Sequence, residues 1–409
     1  MGSLPTEQNA AHSVDCCLRV SKEMRDPLFA SRDYRLLLII GLLWGSSTSQ
    51  LTILAALFRA HGFDDRTIAA TVSLFFAGLI GGSIIAGSLS LRIGAKMTLL
   101  IGLLGSLVGI IGLPITAIEP GPVLALSLAR GLFGGLILPP GFLLVQTIAT
   151  EADRVRAIGI FNACFLIPAI YGPAVGEWAF RGWGDDWFFT TAAIPAAITI
   201  LLACALSPSN RVAPSAQGYL TLLRDRRIWL PCLAMAATGV GYTFAFNFLS
   251  LLVSPVGRFF VPFAIGVSIT RFVGLGYLQR LPAWLLASLG LLAYVIGFAA
   301  ILIGTAGVAG LAFGYGYGVV GPTAIAWGSA PYPRNEASRA RPVALVTVCF
   351  NIGSIVTAQV TGAVLPALGW PGLLLTLATL LMLTLLACVV PEIAGRKHAS
   401  GAASNLEPF

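Results

Sequence analysis

Beyond a polar opening, the chain alternates between long apolar runs and short polar breaks. The runs cover 35–58, 67–90, 97–118, 122–147, 157–180 and 187–206. After a polar stretch at 207–228 they resume at 229–253, 261–279, 283–303, 305–328, 342–364 and 371–390. Each is close to the roughly 20 apolar residues that a helix needs to cross the hydrocarbon core of a bilayer. Inside lipid a backbone must satisfy its own N–H and C=O groups, so runs of this length predict helices. The pattern predicts an all-α membrane protein of twelve transmembrane helices in two six-helix halves. Its segments are a tail (1–34), a first half (35–206), a central loop (207–228), a second half (229–390) and a C-terminal tail (391–409).

Composition changes the picture only by naming the solvent. Of 409 residues 57% are hydrophobic and 10% charged, with a mean hydropathy of +0.87. A soluble domain carries about 25% charged residues, so this chain lacks a coat for water and belongs in lipid. The basic residues then set an orientation. With both termini inside, 19 of the 25 Lys and Arg fall in inner segments and four (Arg59, Arg66, Arg181, Arg258) in outer loops. The other two, Arg130 and Arg271, lie within spans. Cytoplasmic loops carry such an excess, so both termini are expected in the cytoplasm. The net charge of +8 is therefore a topology signal, and no nucleic-acid partner is expected. The expected location is a plasma or bacterial inner membrane, with which the short loops and the absence of any Asn-x-Ser/Thr site are compatible.

The two halves repeat. Glu151-Ala152-Asp153-Arg154-Val155-Arg156 recurs as Glu336-Ala337-Ser338-Arg339-Ala340-Arg341, and each is followed by a Cys-Phe pair, Cys164-Phe165 and Cys349-Phe350, at an offset of 185. Ahead of the first span of each half, Arg32-Asp33-Tyr34-Arg35-Leu36 recurs as Arg224-Asp225-Arg226-Arg227-Ile228, at an offset of 192. Parallel six-span repeats are one way to build alternating access.

Catalytic chemistry is scarce. Seven cysteines lie mostly inside apolar runs without CxxC or Cys/His spacing, and the three histidines (His12, His61, His398) fall in tails or loops. Neither a metal site, a disulfide framework nor an enzyme is expected. Residues 1–34 are polar and do not read as a cleavable signal peptide. The opening Met1-Gly2-Ser3-Leu4-Pro5-Thr6 formally fits an N-myristoylation pattern and Cys16-Cys17 could be acylated, although a multispan chain needs no lipid anchor. Met24 is an alternative start.

Three motifs carry a family resemblance. The loop after the second span, Gly87-Ser88-Leu89-Ser90-Leu91-Arg92-Ile93-Gly94-Ala95-Lys96, resembles the major facilitator signature G-x-L-a-D-R-x-G-R-K at Gly87, Leu89, Arg92, Gly94 and Lys96. Leu91 stands where the family has Asp, and Ala95 where it has a second Arg. A degenerate copy, Gly276-Tyr277-Leu278-Gln279-Arg280-Leu281, follows the eighth span. Glycines there permit a tight reversal and close helix approach. In the fourth span, Arg130-Gly131-Leu132-Phe133-Gly134 is similar to the R-x-x-q-G element. In the fifth, Gly159, Pro168 and Gly172-Pro173-Ala174-Val175-Gly176-Glu177 resemble the glycine–proline motif of the proton-coupled exporter branch, with Pro168 and Glu177 replacing two glycines. Such a thin, kinkable face suits a rocking interface between halves.

What the resemblance implies is a secondary transporter whose first, fourth, seventh and tenth spans line a central cavity. Carried over residue by residue, the cavity candidates are Trp44, Ser47 and Gln50, then Arg130, then Tyr242, Phe246 and Asn247, then Tyr315, Tyr317 and Thr323. The aromatics serve equally as helix-packing residues, and Ser and Thr often bond their own helix. Gly314, Gly316 and Gly318 form a GxGxG string without a preceding strand, which reads as close packing rather than nucleotide binding. Candidate charges for coupling are Arg130, Glu177 and Arg271, since a charge within a span is costly and functional; Glu177 near the outer end could also snorkel to water. Two arginines against one glutamate favour an anionic or zwitterionic solute.

The expected function is export of a small organic metabolite, a metallophore being within the class, by proton antiport. The cofactor list is empty, with the proton gradient as energy source. The partners are the solute, protons and the bilayer, and the chain is expected to act as a monomer. Proton-coupled uptake of a small carboxylate and a non-transporting sensor on the same fold are the alternatives.

Overall fold

A computed structural model describes residues 27–116, 119–150, 154–208, 224–270, 281–331 and 336–404. After a single turn at Pro27–Ala30 come α1 (Arg32–Ala60), α2 (Asp65–Ile93), α3 (Ala95–Thr116), α4 (Pro120–Ile148), α5 (Ala157–Trp183) and α6 (Asp185–Cys204). The second half holds α7 (Arg226–Leu251), α8 (Gly257–Ser268), α9 (Ala283–Leu302) and α10 (Ala306–Ser329). A last helical run, Glu336–Ser404, breaks at Gly369 (φ 65°) into α11 (336–368) and α12 (370–404). The order is that of the apolar pattern, and among the described residues the fold is all-α with twelve helices, of which α8 is described over only 12 residues. Arg271 and the loop copy at 276–280 lie outside the described residues, as do the side chains of 154–156 and 336–341 that carry the first repeat.

Local chemistry sets several boundaries. Asp64 caps α2 by accepting from the Thr67 N–H at 2.9 Å. Gly94 ends α2 at φ +92°, a conformation that glycine reaches without strain, so the tight reversal expected of the signature loop is present. Lys96 donates to the carbonyls of Cys204, at 2.8 Å, and Leu206, and so caps the C-terminal end of α6. Gly87 makes no close approach, since a side chain there would meet nothing within 4 Å.

Four helices are interrupted in mid-course. α1 tightens to a 3₁₀ turn at Leu51–Ile53, α4 breaks at Leu136–Ile137, α5 turns 3₁₀ at Ile167–Ile170, and α7 widens to a π turn at Phe244–Phe248 before a 3₁₀ turn at Leu249–Leu251. Pro168 explains the break in α5, as its ring removes a donor from the ladder.

Glycine contacts show the repeat in three dimensions. α2 and α4 touch backbone to backbone, with Gly131 against the Phe75 carbonyl and Gly135 against that of Leu79. α8 and α10 do the same in the second half, with Gly310 against Phe259 and Gly314 against Phe263. Likewise Gly45 of α1 faces the Phe165 carbonyl of α5, and Gly239 of α7 faces the Phe350 carbonyl of α11. The duplicated Cys-Phe pairs thus mark equivalent crossings. In lipid, where apolar burial drives little association, such close approach is what holds helices together. The GxGxG string is used in this way: Gly314 packs on α8, Gly316 on Tyr294 of α9 and Gly318 on Thr270.

Candidate functional site

We call the end of the bundle where α1 starts the terminal end and the opposite one the far end. On α1, Trp44, Ser47, Leu51, Leu54 and Phe58 follow one another at three- and four-residue spacing and so share a face. Three of them, Leu51, Leu54 and Phe58, line a cavity of about 20 Å³ with Arg130 and Ser127 of α4 and Asn247 of α7. It has room for about one water molecule. The guanidinium of Arg130 lies 4.8 Å from the centre of the Phe75 ring, within cation–π range. Its Nη1 is out of solvent and has no hydrogen-bond partner. The Ser47 hydroxyl is also buried without a partner. Arg130, Ser47 and Asn247 are therefore candidate residues on one inter-half face, and two of them present polar atoms with unused capacity.

Gln50 belongs elsewhere. Its Nε2 donates to the Ser46 carbonyl at 3.1 Å and to the Thr191 carbonyl of α6 at 3.2 Å. Ser46 pairs with the Tyr171 hydroxyl at 2.6 Å, and Gly172 and Gly176 of α5 lie against Ser49 and the Gln50 backbone. Gly172 and Gly176 of the α5 motif thus pack on α1 of their own half, where the small residues at 45–49 accept them, while Glu177 of the same motif reaches the other half. Pro173 sits in the first turn after the break, where a missing N–H costs nothing.

On the second half, Tyr242 stacks on Phe246 at 4.3 Å between centroids, and meets Phe350 at 5.1 Å and Tyr317 at 5.6 Å. Tyr317, rather than Tyr315, therefore joins this group from α10. Tyr315 and Thr323 are half-buried on the same helix. Ser127, Thr71 and Phe75 were not anticipated; Ser127 lies one turn before Arg130, a spacing that would have found it.

Glu177 is 8% exposed and lies at the far end. Its carboxylate accepts from the Ser254 hydroxyl at 2.8 Å and the Val256 N–H at 2.7 Å, both in the α7–α8 connection, and pairs with Arg181 at 3.1 Å. It joins α5 to the other half. Three further links do the same: Ser250 to the Thr52 carbonyl at 3.1 Å, Gln359 to Ser73 at 2.9 Å, and Arg59 over the Trp370 ring at 6.0 Å. Arg59, itself paired with Asp65, also lines an open far-end concavity of about 620 Å³ with Arg66 and Trp370.

The Major Facilitator Superfamily profile matches residues 36–340. No curated protein matches the chain in sequence. Among solved structures, a D-xylose–proton symporter superposes with a TM-score of 0.70 at 14% identity, over 87% of this chain and 96% of that one. The nucleoside transporter NupG gives 0.67 at 14% identity, over 88% and 99%. A bacterial homologue of the human lysosomal transporter Spinster, inward-facing and unoccupied, gives 0.63 at 18% identity, over 88% and 95%. Twelve helices in two repeated halves, a charged cavity between them and the matching profile lead to one assignment: the chain belongs to the Major Facilitator Superfamily.

Proposed function

We propose that the protein is a secondary transporter that exports a small anionic or zwitterionic organic solute by proton antiport, with the proton gradient as its energy source and alternating access as its mechanism. The single observation that carries the reading is Arg130, a cation ten residues beyond Pro120 in α4 whose Nη1 is desolvated and unpartnered beside the Asn247 side of the other half. A buried cation in a span is retained where it meets a partner, and a carboxylate, phosphate or sulfonate group on the solute supplies one. Asn247 and Ser47 add uncharged polar contacts, and the Tyr242–Tyr317–Phe350 group offers an apolar wall.

The far-end links support a coupling scheme. Ionised Glu177 holds α5 to the α7–α8 connection and keeps the far end shut. Protonation removes the charge that these donors and Arg181 recognise, and so favours opening to that side. With the terminal end cytoplasmic, as the basic residues indicate, protons would arrive at Glu177 from outside as solute leaves. Anion binding to purified protein, followed by intrinsic tryptophan fluorescence across a panel of small carboxylates and amphipaths, tests the cavity. Arg130→Ala is expected to weaken binding at least about 30-fold, the factor for roughly 2 kcal/mol, with Arg130→Lys intermediate. Equal affinity in Arg130→Ala would overturn the assignment of the anion site.

A further inference from the structure

α7 and α11 run in the same direction, and their backbones touch. A side chain at Gly353 would strike the Ala236 carbonyl, and the Thr357 hydroxyl donates to the Val240 carbonyl at 3.5 Å. Both pairs are 117 positions apart, and one turn nearer the terminal end the same register sets Cys232 against Cys349. The backbone contact of Gly353 with Ala236 and the Thr357–Val240 bond thus bring the two side chains to the same side of one crossing. Both residues are half-buried and both thiols are free. They sit beside the point where Gly328 of α10 meets Pro231 and Val346, three residues from the exposed Trp229 at the start of α7.

The pair is not a by-product of the repeat. At the equivalent α1–α5 crossing Cys164 faces Gly41. A disulfide needs Cα atoms about 4.4–6.8 Å apart, closer than most packed helices, whose axes lie about 8–10 Å apart, bring their side chains' roots. Gly239 against the Phe350 carbonyl and Gly353 against that of Ala236 bring these two backbones into direct contact within two turns of the cysteines.

We propose that Cys232 and Cys349 are a redox-active dithiol that closes to a disulfide between α7 and α11, with a small-molecule disulfide such as oxidised glutathione as the oxidant. One thiolate attacks a sulfur of the oxidant, forming a mixed disulfide and releasing one glutathione thiolate. The second cysteine thiolate then displaces the other glutathione. Two protein thiols are oxidised to one disulfide, one oxidant disulfide is reduced to two thiols, and the two cysteine protons end on the released glutathiones. In a reducing compartment such a bond is transient and reports oxidising conditions. Closure staples α7, which carries Asn247 and Tyr242, to α11, which carries Gln359 and its link to Ser73. The inference does not depend on the transport reading.

The test uses full-length protein in lipid nanodiscs treated with oxidised glutathione and read by peptide mass spectrometry. Exposed Cys204 serves as the internal control for reagent access. The expected result is a 232–349 cross-link, reversed by dithiothreitol, lost in Cys232→Ser and Cys349→Ser and kept in Cys164→Ser. In a Cys16→Ser, Cys17→Ser background, phenylarsine oxide, which needs two adjacent thiols, should bind at one equivalent, and not at all once Cys232→Ser or Cys349→Ser is added. Separate glutathione adducts on Cys232 and Cys349, or unreacted thiols at both while Cys204 is modified, would overturn the proposal.

Discussion

Arg130 and Glu177 show how a charged side chain in a span is given different work by its neighbours. Glu177 has three donors and joins two halves. Arg130 has an aromatic ring beneath it and an empty nitrogen. Replacing an unpaired buried charge by an apolar residue of similar volume is often neutral or stabilising. Arg130→Met is therefore expected to unfold at an equal or higher temperature than wild type while losing anion binding, measured by thermal unfolding in detergent and by the fluorescence titration. A large fall in melting temperature would mean that the arginine holds the fold instead. The arginine and its span were legible in the sequence. The donors around Glu177 were not, because Ser254 and Val256 lie in a connection nearly eighty positions away, and no periodicity relates such positions.

Among elements, the helix crossings carry the stability argument. At Gly353 a side chain would meet the Ala236 backbone, which cannot yield like the end of a flexible chain. Gly353→Val is expected to cost about 1–3 kcal/mol as overpacking, whereas Gly87→Ala, with open space around it, should be neutral or stabilising by about 0.5–1 kcal/mol as a helix-interior change. Unfolding in mixed micelles would separate them. The α2 cap makes a pH prediction. Hydrogen bonds from the Thr67 side chain and backbone N–H hold the Asp64 carboxyl below its usual range. Its contribution is then full above the ordinary carboxylate pKa and is lost as pH falls through the lower folded value. Asp64→Ala should cost roughly 1 kcal/mol at neutral pH and progressively less in acid, so its unfolding curve should converge with that of wild type. The apolar runs gave the helices because hydrocarbon thickness fixes their length. The duplicated Cys-Phe pairs pointed to a repeat of halves, but their place at the α1–α5 and α7–α11 crossings comes from the packing of Gly45 and Gly239. That Gly172 and Gly176 would seat on Ser49 and Gln50 of their own half was not legible, because thinness permits contact without naming the partner.

For the whole molecule, Thr52, Ser73, Glu177 and Arg59 on one half meet Ser250, Gln359, Val256 and Trp370 on the other, all toward the far end. We read this as the state closed at the far end. Weakening one link should shift the population toward the opposite state by the differential free energy of that link. Glu177→Gln is thus expected to raise maleimide labelling from the far side at a single cysteine placed at buried Ala55, several-fold over the same cysteine with Glu177 intact. Unchanged labelling would mean that Glu177 does not hold the gate.

Solute-driven proton movement in proteoliposomes bears most directly on the proposed mechanism. Protein would be reconstituted with an interior pH-sensitive dye and an imposed pH gradient, and challenged with the anions that bind in the fluorescence assay. Wild type is expected to move protons against solute, Arg130→Ala to show neither flux, and Glu177→Gln to exchange solute without moving protons. Solute flux in wild type with no proton movement, or proton movement that is unchanged in both variants, would contradict the account.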